Sequence, residues 1–431
     1  MSPWGKAARE APRKVLVGVV AAVAVLAATA APAGAARPAT GRAEHVVMVV
    51  WDGFDPEYRH RVPTPNLDAL ARRGVVTTST GVMQTITNPS MASLATGAYP
   101  ERHGNTAYLY DPAANVVRGQ TRALAVPTVA QSLAAQGRTV ASIQWFILQN
   151  YGVTYGDPEA LYTQPGGPCA NRVDQFVDLM AGRPVISNGT PVTVPEVPDL
   201  TAVYCDDLDS LGHRVGADDP ALATQMAEMD RQLGRIVQAT RDAGTYDRTA
   251  FLVVGDHGMT TFDKAFGADL LAAIESAGFT GEFVGSGGTP SAGTDVVIAV
   301  GGNASLHMRG AAANPRAIAK IRSRIARIPQ VRAVFGKAEQ RVLRMSPAVG
   351  DLLVEPEPGW TAALDAPAAP AGRHGSTTEL QTTFVIAGAG VRPHGWVLFP
   401  RHVDVAPTVS ALLGAEPPAG TQGRVLREVL R

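Results

Sequence analysis

The stretch HVVMVVWDGF, residues 45–54, decides the fold of this chain. Residues 45–51 form an almost unbroken apolar and β-branched run that ends directly at Asp52. Strands that are buried on both faces of a parallel sheet have this character, whereas half-exposed strands alternate between apolar and polar residues. The stretch therefore predicts a central strand that delivers a carboxylate to the carboxyl edge of a sheet, where α/β proteins bind their ligands.

Outward from this strand, apolar runs alternate with amphipathic segments. The clearest helix is predicted over residues 220–243, where five apolar residues recur every three or four positions. Further predicted strands are 139–145, 199–205, 249–254 and 383–387, and further predicted helices are 64–73, 126–136 and 403–413. This alternation predicts an α/β fold with a doubly wound, mostly parallel sheet.

Two stretches have the character of insertions. Residues 155–198 are rich in glycine and proline and show weak periodicity. Residues 265–370 contain their own strands and a basic helix, PRAIAKIRSRIARI. We expect the second stretch to form a small α/β cap subdomain near the mouth of the site.

Seven acids, histidines and hydroxyl-bearing residues are scattered along the chain, most of them at the ends of apolar runs. They are Asp52, Thr87, Asp209, His213, Asp256, His257 and His374. Three carboxylates, three imidazoles and one hydroxyl suit two divalent ions with mixed nitrogen and oxygen coordination. Each fragment alone is a weak signal, because Asp-Gly after a strand is usually a turn. Their joint occurrence predicts metal-assisted hydrolysis of a phosphate ester.

The ordered motifs resemble a known family. They are Asp-Gly after the first strand, TNPSMASLATG from Thr87, YPERHG, YDP, DSLGHRVG from Asp209, DHGM from Asp256, and VDVAPTVSALLGAEPP followed by GRVL. Together they resemble the type I phosphodiesterase/nucleotide pyrophosphatase branch of the alkaline phosphatase superfamily over roughly residues 44–431. The resemblance implies an alkaline-phosphatase-like catalytic domain over residues 36–431.

The resemblance also implies a role for each of the seven residues. Thr87 would be the nucleophile, and two zinc ions would each be held by three side chains. The two sets are Asp209, His213 and His374, and Asp52, Asp256 and His257, with the Thr87 oxygen also contacting the second ion. Manganese or iron could occupy similar ligands. An asparagine before YDP would bind a phosphoryl oxygen; Asn105 is the nearest candidate and Asn88 the second, with turn capping as the alternative for both.

The predicted function is that of an exported, metal-dependent phosphodiesterase or nucleotide pyrophosphatase that works through a phospho-threonine intermediate. Candidate substrate contacts are Phe54, Asn88, Tyr108 and Trp145, although aromatic residues at such positions are more often core. One alternative is a phosphonoacetate hydrolase, because the TNPS motif is also similar to the sequences of that group. A phosphomonoesterase is another, and both would need extra cationic groups near the metals. An alternative of another class is a non-catalytic secreted binding protein, which would predict loss of the nucleophile or ligands.

Composition narrows the possible partners. The chain has 431 residues, 45% of them hydrophobic and 18% charged, which is typical of a globular protein. Its formal net charge is zero, so neither a nucleic-acid polymer nor an anionic membrane is indicated as a partner. We expect a small phosphate ester or a nucleotide as the substrate.

The N-terminal segment resembles a secretory signal peptide. Four basic residues precede an apolar run at 15–30, and Ala33-Gly34-Ala35 is a small-residue cleavage box, which predicts cleavage after Ala35. An uncleaved membrane anchor is the alternative. Signal cleavage would leave a secreted or extracytoplasmic protein with no membrane span. In that compartment Cys169 and Cys205 form either a disulfide or two buried free thiols.

Overall fold

The computed structural model describes residues 43–431, so the predicted signal peptide at residues 1–35 lies outside the described part. The strands are β1 (His45–Trp51), β2 (Gly74–Thr80), β3 (Leu109–Asp111), β4 (Val116–Arg118), β5 (Val140–Ile143), β6 (Thr154–Tyr155), β7 (Ala160–Thr163), β8 (Val185–Ser187), β9 (Thr190–Val192), β10 (Leu200–Cys205), β11 (Thr249–Gly255), β12 (Thr260–Ala265), β13 (Gly281–Phe283), β14 (Val296–Gly301), β15 (Asn303–Met308), β16 (Val331–Gly336), β17 (Leu352–Pro356), β18 (Gly359–Thr361), β19 (Ala371–Arg373) and β20 (Gln381–Gly388). The helices are α1 (Pro65–Ala71), α2 (Thr87–Thr96), α3 (Pro100–His103), α4 (Val129–Ala134), α5 (Cys169–Met180), α6 (Asp207–Val215), α7 (Ala221–Asp242), α8 (Gly267–Ser276), α9 (Pro315–Ile325), α10 (Lys337–Val342) and α11 (Val405–Leu412).

The centre of the fold is an eight-stranded sheet with the order β2-β20-β11-β1-β10-β5-β7-β6. Strand β1 lies in the middle and pairs in parallel with both β10 and β11. The pairings of β10 with β5, β5 with β7 and β7 with β6 are parallel too, whereas β20 is antiparallel to both of its neighbours. The prediction of a mostly parallel sheet is confirmed.

Alternate side chains of β1 enter two different cores. Val46, Met48 and Val50 belong to a cluster with residues of α2, α4 and α11, whereas Val47 and Val49 belong to a cluster with residues of α1, α5 and α7. Helices therefore cover both faces of the sheet, as a doubly wound fold requires. Each buried aliphatic side chain contributes roughly 1.5–3 kcal/mol, which explains why the strand carries no polar residue between His45 and Asp52.

The predicted cap subdomain has a sheet and a core of its own. Five strands pair in the order β13-β14-β15-β17-β16, and the apolar faces of α8 and α9 pack on them. The strands expected at DVVIAV, VRAVFG and DLLVE and the basic helix are all present, as β14, β16, β17 and α9. A small three-stranded sheet, β18-β12-β19, includes the two strands on either side of the cap segment, β12 and β19.

The stretch 155–198 differs from our expectation of an insertion. Strand β7 pairs in register with β5 and so belongs to the central sheet, and α5 packs against α7. Strand β7 has four residues and is too short to show a pattern, whereas the missed helix α5 does show one, since it buries Val173, Phe176 and Leu179 at three-residue intervals. Cys169 and Cys205 form a disulfide that joins the start of α5 to the end of β10, which decides between the two alternatives for these cysteines.

Several helices are shorter than predicted. The helix expected at 126–136 begins only after Thr128, whose hydroxyl accepts the backbone N–H of Gln131 in a capping box. The helix expected at 220–243 spans Ala221–Asp242, with its apolar stripe buried as predicted.

Within residues 43–431, no helix has both the length and the apolarity needed to cross a bilayer.

Candidate active site

The three acids of the predicted site lie at the carboxyl edge of the central sheet. Asp52 follows β1 directly and Asp256 follows β11 directly. Asp209 lies on α6, which begins two residues after β10 ends. Because β1, β10 and β11 are parallel neighbours, their chain directions bring the three carboxylates to one edge.

Thr87 is the first residue of α2, a helix that is buried along its whole length. Its Oγ1 lies 3.2 Å from Nε2 of His257. The free N–H groups at a helix N-terminus carry partial positive charge, which favours an anion at this position. The helix therefore presents its hydroxyl where a phosphate group would be stabilised.

The remaining distances link all seven residues into one pocket. Nε2 of His257 lies 3.2 Å from Asp52 Oδ1 and 3.6 Å from Asp256 Oδ2. Asp209 Oδ1 lies 3.4 Å from Nε2 of His213 and 3.6 Å from Nε2 of His374. The rings of His257 and His374 stack with centroids 3.6 Å apart, which joins the two groups.

The three imidazoles share one orientation. In each ring, Nδ1 lies within hydrogen-bonding distance of a backbone carbonyl, while Nε2 faces the pocket. The partners are Gly372 O for His213 at 2.8 Å, Gly258 O for His257 at 3.0 Å, and Thr85 O for His374 at 2.8 Å. A proton on Nδ1 leaves the lone pair of Nε2 free, which is how metal-binding histidines are usually fixed.

The carboxylates provide the test of whether cations fit here. Asp52 Oδ1, Asp209 Oδ1 and Asp256 Oδ2 are buried oxygens without a hydrogen-bond partner. Buried polar atoms are normally paired, so three such oxygens in one pocket indicate an absent positive ligand. Asp52, Asp256 and His257 offer ligand atoms within 4.8 Å of one another, and so do Asp209, His257 and His374. The donor set fits divalent cations.

The electrostatics of the pocket agree with that fit. Burial, together with the negative charge of Asp52, raises the pKa values of Asp209 and Asp256 well above their usual range. Burial would lower the pKa of His257, but the charges of Asp256 and Asp52 outweigh it and raise the pKa to about 10. The raised pKa values mean that these buried carboxyls resist ionisation unless positive charge lies beside them, which a divalent cation would supply.

Other residues support the site without having been predicted. Tyr204 on β10 donates its hydroxyl proton to Asp52 Oδ2, and Gln120 accepts the backbone N–H of Asn88 at 3.0 Å. Thr85 contacts two successive residues. Its carbonyl faces Nδ1 of His374, and its Oγ1 accepts the N–H of Gly375 at 2.9 Å. These contacts join residues far apart in the chain, so no local pattern could have indicated them.

Two of the predicted substrate contacts and Asn105 need correction. Phe54 and Trp145 are 0% exposed, in the cores on opposite faces of the sheet, so we no longer count them among substrate contacts. Asn105 donates both amide protons to backbone carbonyls, of Thr121 and Ala123, and has none left for a phosphoryl oxygen.

Asn88 and Tyr108 remain candidates for contact with a substrate. Asn88 follows Thr87 on α2 and uses one amide proton on the carbonyl of Thr121, which leaves one free. Tyr108 is partly exposed, and burial together with the charge of Asp209 raises the pKa of its hydroxyl.

Curated proteins with similar sequences carry names of one kind. Human ectonucleotide pyrophosphatase/phosphodiesterase family member 7 is 29% identical over 57% of this chain and 54% of its own length. The Xenopus laevis bis(5'-adenosyl)-triphosphatase enpp4 is 26% identical over 52% of this chain and 48% of its own length. The chain thus spans about half the length of the curated relatives that it matches.

Solved structures show the same fold over nearly the whole chain. Murine ectonucleotide pyrophosphatase/phosphodiesterase 5 matches 86% of this chain and 96% of its own with a TM-score of 0.66 and 18% identity. An inactive threonine-to-alanine variant of that protein in complex with AMP matches equally well, with a TM-score of 0.66 and 17% identity. A sequence model of one family matches residues 46–377, which include the whole candidate site. This chain belongs to the type I phosphodiesterase/nucleotide pyrophosphatase family.

Proposed function

We propose that this protein is an exported, zinc-dependent phosphodiesterase that hydrolyses phosphate diesters or nucleotide pyrophosphates through a phospho-threonine intermediate. One observation carries the proposal. The Thr87 hydroxyl, 3.2 Å from His257 Nε2, stands in a pocket where three buried carboxylate oxygens lack partners. A nucleophile beside a cation-binding set is what phosphoryl transfer requires.

In the first step Thr87 Oγ1 attacks phosphorus, and the bond from phosphorus to the leaving oxygen breaks. The N-terminal end of α2 stabilises the negative charge of the phosphoryl group. The free amide proton of Asn88 can reach a phosphoryl oxygen from the same helix turn. In the second step water attacks phosphorus from the opposite side and frees Thr87. Two in-line displacements predict net retention at phosphorus.

The chain offers two sets of three ligands for the ions. Asp209, His213 and His374 would hold one, and Asp52, Asp256 and His257 would hold the other. When bound, the ions would polarise the phosphoryl oxygens and favour the deprotonated forms of the Thr87 hydroxyl and of water. The buried position of the carboxylates keeps bulk water from screening this charge.

Three arginines that could supply an extra cation, Arg102, Arg118 and Arg373, are exposed or otherwise paired, which supports a diester substrate over a monoester or phosphonate dianion. Arg118 pairs with Asp111 at 2.8 Å. Arg102 is exposed. Arg373 precedes His374 but donates to the carbonyls of Trp360 and Glu357. A diester carries a single negative charge and needs no such cation.

Relatives support a nucleotide as the substrate class. The Xenopus relative is named for hydrolysis of a bis-adenosyl triphosphate, and a structural neighbour is solved with AMP. We infer a nucleoside-containing diester or pyrophosphate for this chain. The signal-like segment at 1–35 and the Cys169–Cys205 disulfide support export to an oxidising compartment.

The test is hydrolysis of bis-p-nitrophenyl phosphate against p-nitrophenyl phosphate by the purified protein. Thr87→Ala should lower kcat/KM on the diester on the order of 10³-fold or more, because no hydroxyl remains to form the intermediate. Thr87→Ser keeps a hydroxyl and should retain more activity. A chelator should abolish activity and zinc should restore it. Near-wild-type turnover by Thr87→Ala would contradict the mechanism, and a faster rate on the monoester would contradict the substrate class.

A further inference from the structure

His374 lies on a segment between β19 and β20 that we call the His374 loop, residues 374–378. Its imidazole is fixed by the Thr85 carbonyl, as described above. The rest of the loop takes several of its contacts from the cap subdomain, which otherwise folds on its own sheet. The position of one proposed metal ligand therefore depends on a second hydrophobic core.

The first contact is the tight turn between β14 and β15. Gly302 lies at φ +86°, and a Cβ there would come within 1.6 Å of the His374 carbonyl oxygen, so only glycine allows this approach. Asn303, which is 1% exposed, donates its amide proton to the carbonyl of Gly375 at 2.5 Å. The turn thus contacts two successive backbone carbonyls, those of His374 and Gly375.

The second contact is a buried carboxylate. Glu355 on β17 is 0% exposed and accepts both the backbone N–H and the hydroxyl of Thr377, at 3.0 and 2.6 Å. Arg332 lies 3.1 Å away as its ion-pair partner. Burying a carboxylate is costly unless it is well paired. The buried position of Glu355 therefore indicates that its bonds to Thr377 hold the His374 loop in place.

The other ligand set is held differently. Asp256 Oδ1 accepts the backbone N–H groups of Gly53 and His257, both at 3.0 Å. Asp52 is held by Tyr204 and by the backbone of β10, where Cys205 O accepts its N–H at 2.8 Å. Each of these contacts comes from the central sheet or the turns that follow its strands.

We propose that the cap subdomain is the scaffold for one half of the dinuclear centre. Asn303 and Glu355 act as positioning residues for His374, and the cation held by Asp209, His213 and His374 depends on them. The cation held by Asp52, Asp256 and His257 does not. This inference rests on the proposed zinc-dependent function, since it needs both ion sites to be real.

The experiment is a zinc titration of the full-length protein against a chromophoric chelator, with bound zinc counted by elemental analysis. The wild type should bind two ions. In Asn303→Ala and in Glu355→Gln, one of the two sites should weaken 10–100-fold, the range found when the support of a ligand is removed, and the other should change less than threefold. Glu282→Gln is the matched control, since this cap carboxylate accepts Ser291 N–H and the Thr294 hydroxyl away from the loop.

A second pair of variants covers the case in which Glu355→Gln fails to fold. Thr377→Ala removes the hydroxyl that Glu355 accepts, and Thr377→Ser restores it. We expect weakening of one site in the first and recovery in the second. Equal weakening of both sites, or no weakening of either, would overturn the proposal. Loss of one site in a protein that binds two zinc ions but hydrolyses no diester would overturn the proposed diesterase activity and leave this inference standing, since the inference needs only the two ion sites.

Discussion

The two halves of the candidate site are supported in opposite ways. The inner half, Asp52, Asp256 and His257, is fully buried and follows two adjacent strands of the central sheet. The outer half, Asp209, His213 and His374, is carried by a helix and a loop. The His213 side chain is 45% exposed. Geometry fixed by a sheet ladder needs few further contacts, whereas geometry on a loop must be built by long-range hydrogen bonds.

This difference indicates which half of the site should tolerate the loss of a single contact. Parallel strands align Asp52 and Asp256 through a continuous backbone ladder, so moving either would require the sheet itself to distort. His374 depends on separate contacts from Thr85, the cap turn and Glu355. Removing a single hydrogen bond should therefore change the geometry of the inner half little. In the outer half, the loss of any one of these contacts should shift His374. The following experiments test that contrast, the largest expected effect first.

Asp256→Asn should have the largest effect. The substitution keeps the shape of the side chain and removes the charge that faces His257 and the inner cation. Losing several kcal/mol of transition-state stabilisation corresponds to a fall in kcat/KM on the order of 10³-fold. Kinetics on bis-p-nitrophenyl phosphate and zinc content would measure it. Asp230→Asn is the control, because Asp230 is equally buried but accepts Leu67 N–H away from the site. Full activity in Asp256→Asn would refute the role of the inner half.

His213→Ala should cost less, on the order of 10²-fold in kcat/KM, about 3 kcal/mol. A water molecule can enter this half-exposed position and take the place of the imidazole. The loss should therefore appear mainly as weaker zinc binding, and excess zinc should restore part of the activity. The same assay with His60→Ala, an exposed histidine outside the pocket, gives the baseline. A loss as large as that of Asp256→Asn, with no response to zinc, would show that the two halves are equivalent.

Breaking the disulfide should act on the outer half through stability. Cys169 and Cys205 are 36 residues apart, and closing such a loop stabilises a fold by about 2–4 kcal/mol. The double substitution to alanine should lower the free energy of unfolding in urea by that amount. The bond lies beside the start of α6, which carries Asp209 and His213, so zinc should leave the outer site at lower denaturant.

Reducing agent provides the control for the disulfide. It should destabilise the wild type by a similar amount and leave the double variant unchanged. A wild type whose denaturation midpoint does not move on reduction would contradict the predicted stabilisation.

Mild acid should give the smallest effect, through His307 in the cap. Burial is the main cause that lowers the pKa of His307 to about 4, with Asp351 raising it and Lys337 lowering it. Its Nε2 accepts the backbone N–H of Tyr110 at 3.1 Å. The unfolded chain binds a proton near pH 6.5, so stability is complete above that pH and declines as the pH falls towards 4, by at most about 1.4 kcal/mol per pH unit.

His307→Gln keeps an acceptor for Tyr110 N–H and removes the titration. Urea midpoints at pH 7 and pH 5 should then differ less in this variant than in the wild type. Identical pH dependence in the two proteins would show that the ring of His307 does not stay neutral in the folded protein.

Local pattern was enough for five of the eight strands of the central sheet and for most of the site. Residues 45–51 form the central strand as predicted, because the six apolar and mostly β-branched residues after His45 suit a strand buried on both faces. The seven candidate residues converge because each sits near the end of a strand or the start of a helix, and parallel strands share one carboxyl edge. Strands β6 and β7 escaped notice because two and four residues carry too little periodicity. Strand β2, GVVTTST, escaped because its threonine-rich second half breaks the apolar run.

The sequence by itself determined the α/β fold class and its family, the cap segment and the identity of the seven side chains, since these depend on composition and spacing within short segments. Only the tertiary structure decided that Phe54 and Trp145 are core, that Asn105 has no free donor, and that Cys169 is bonded to Cys205. It alone placed Asn303 and Glu355 against the His374 loop, across 72 and 22 residues of chain. Burial and hydrogen bonding between distant segments depend on how elements pack, and no spacing along the chain encodes that.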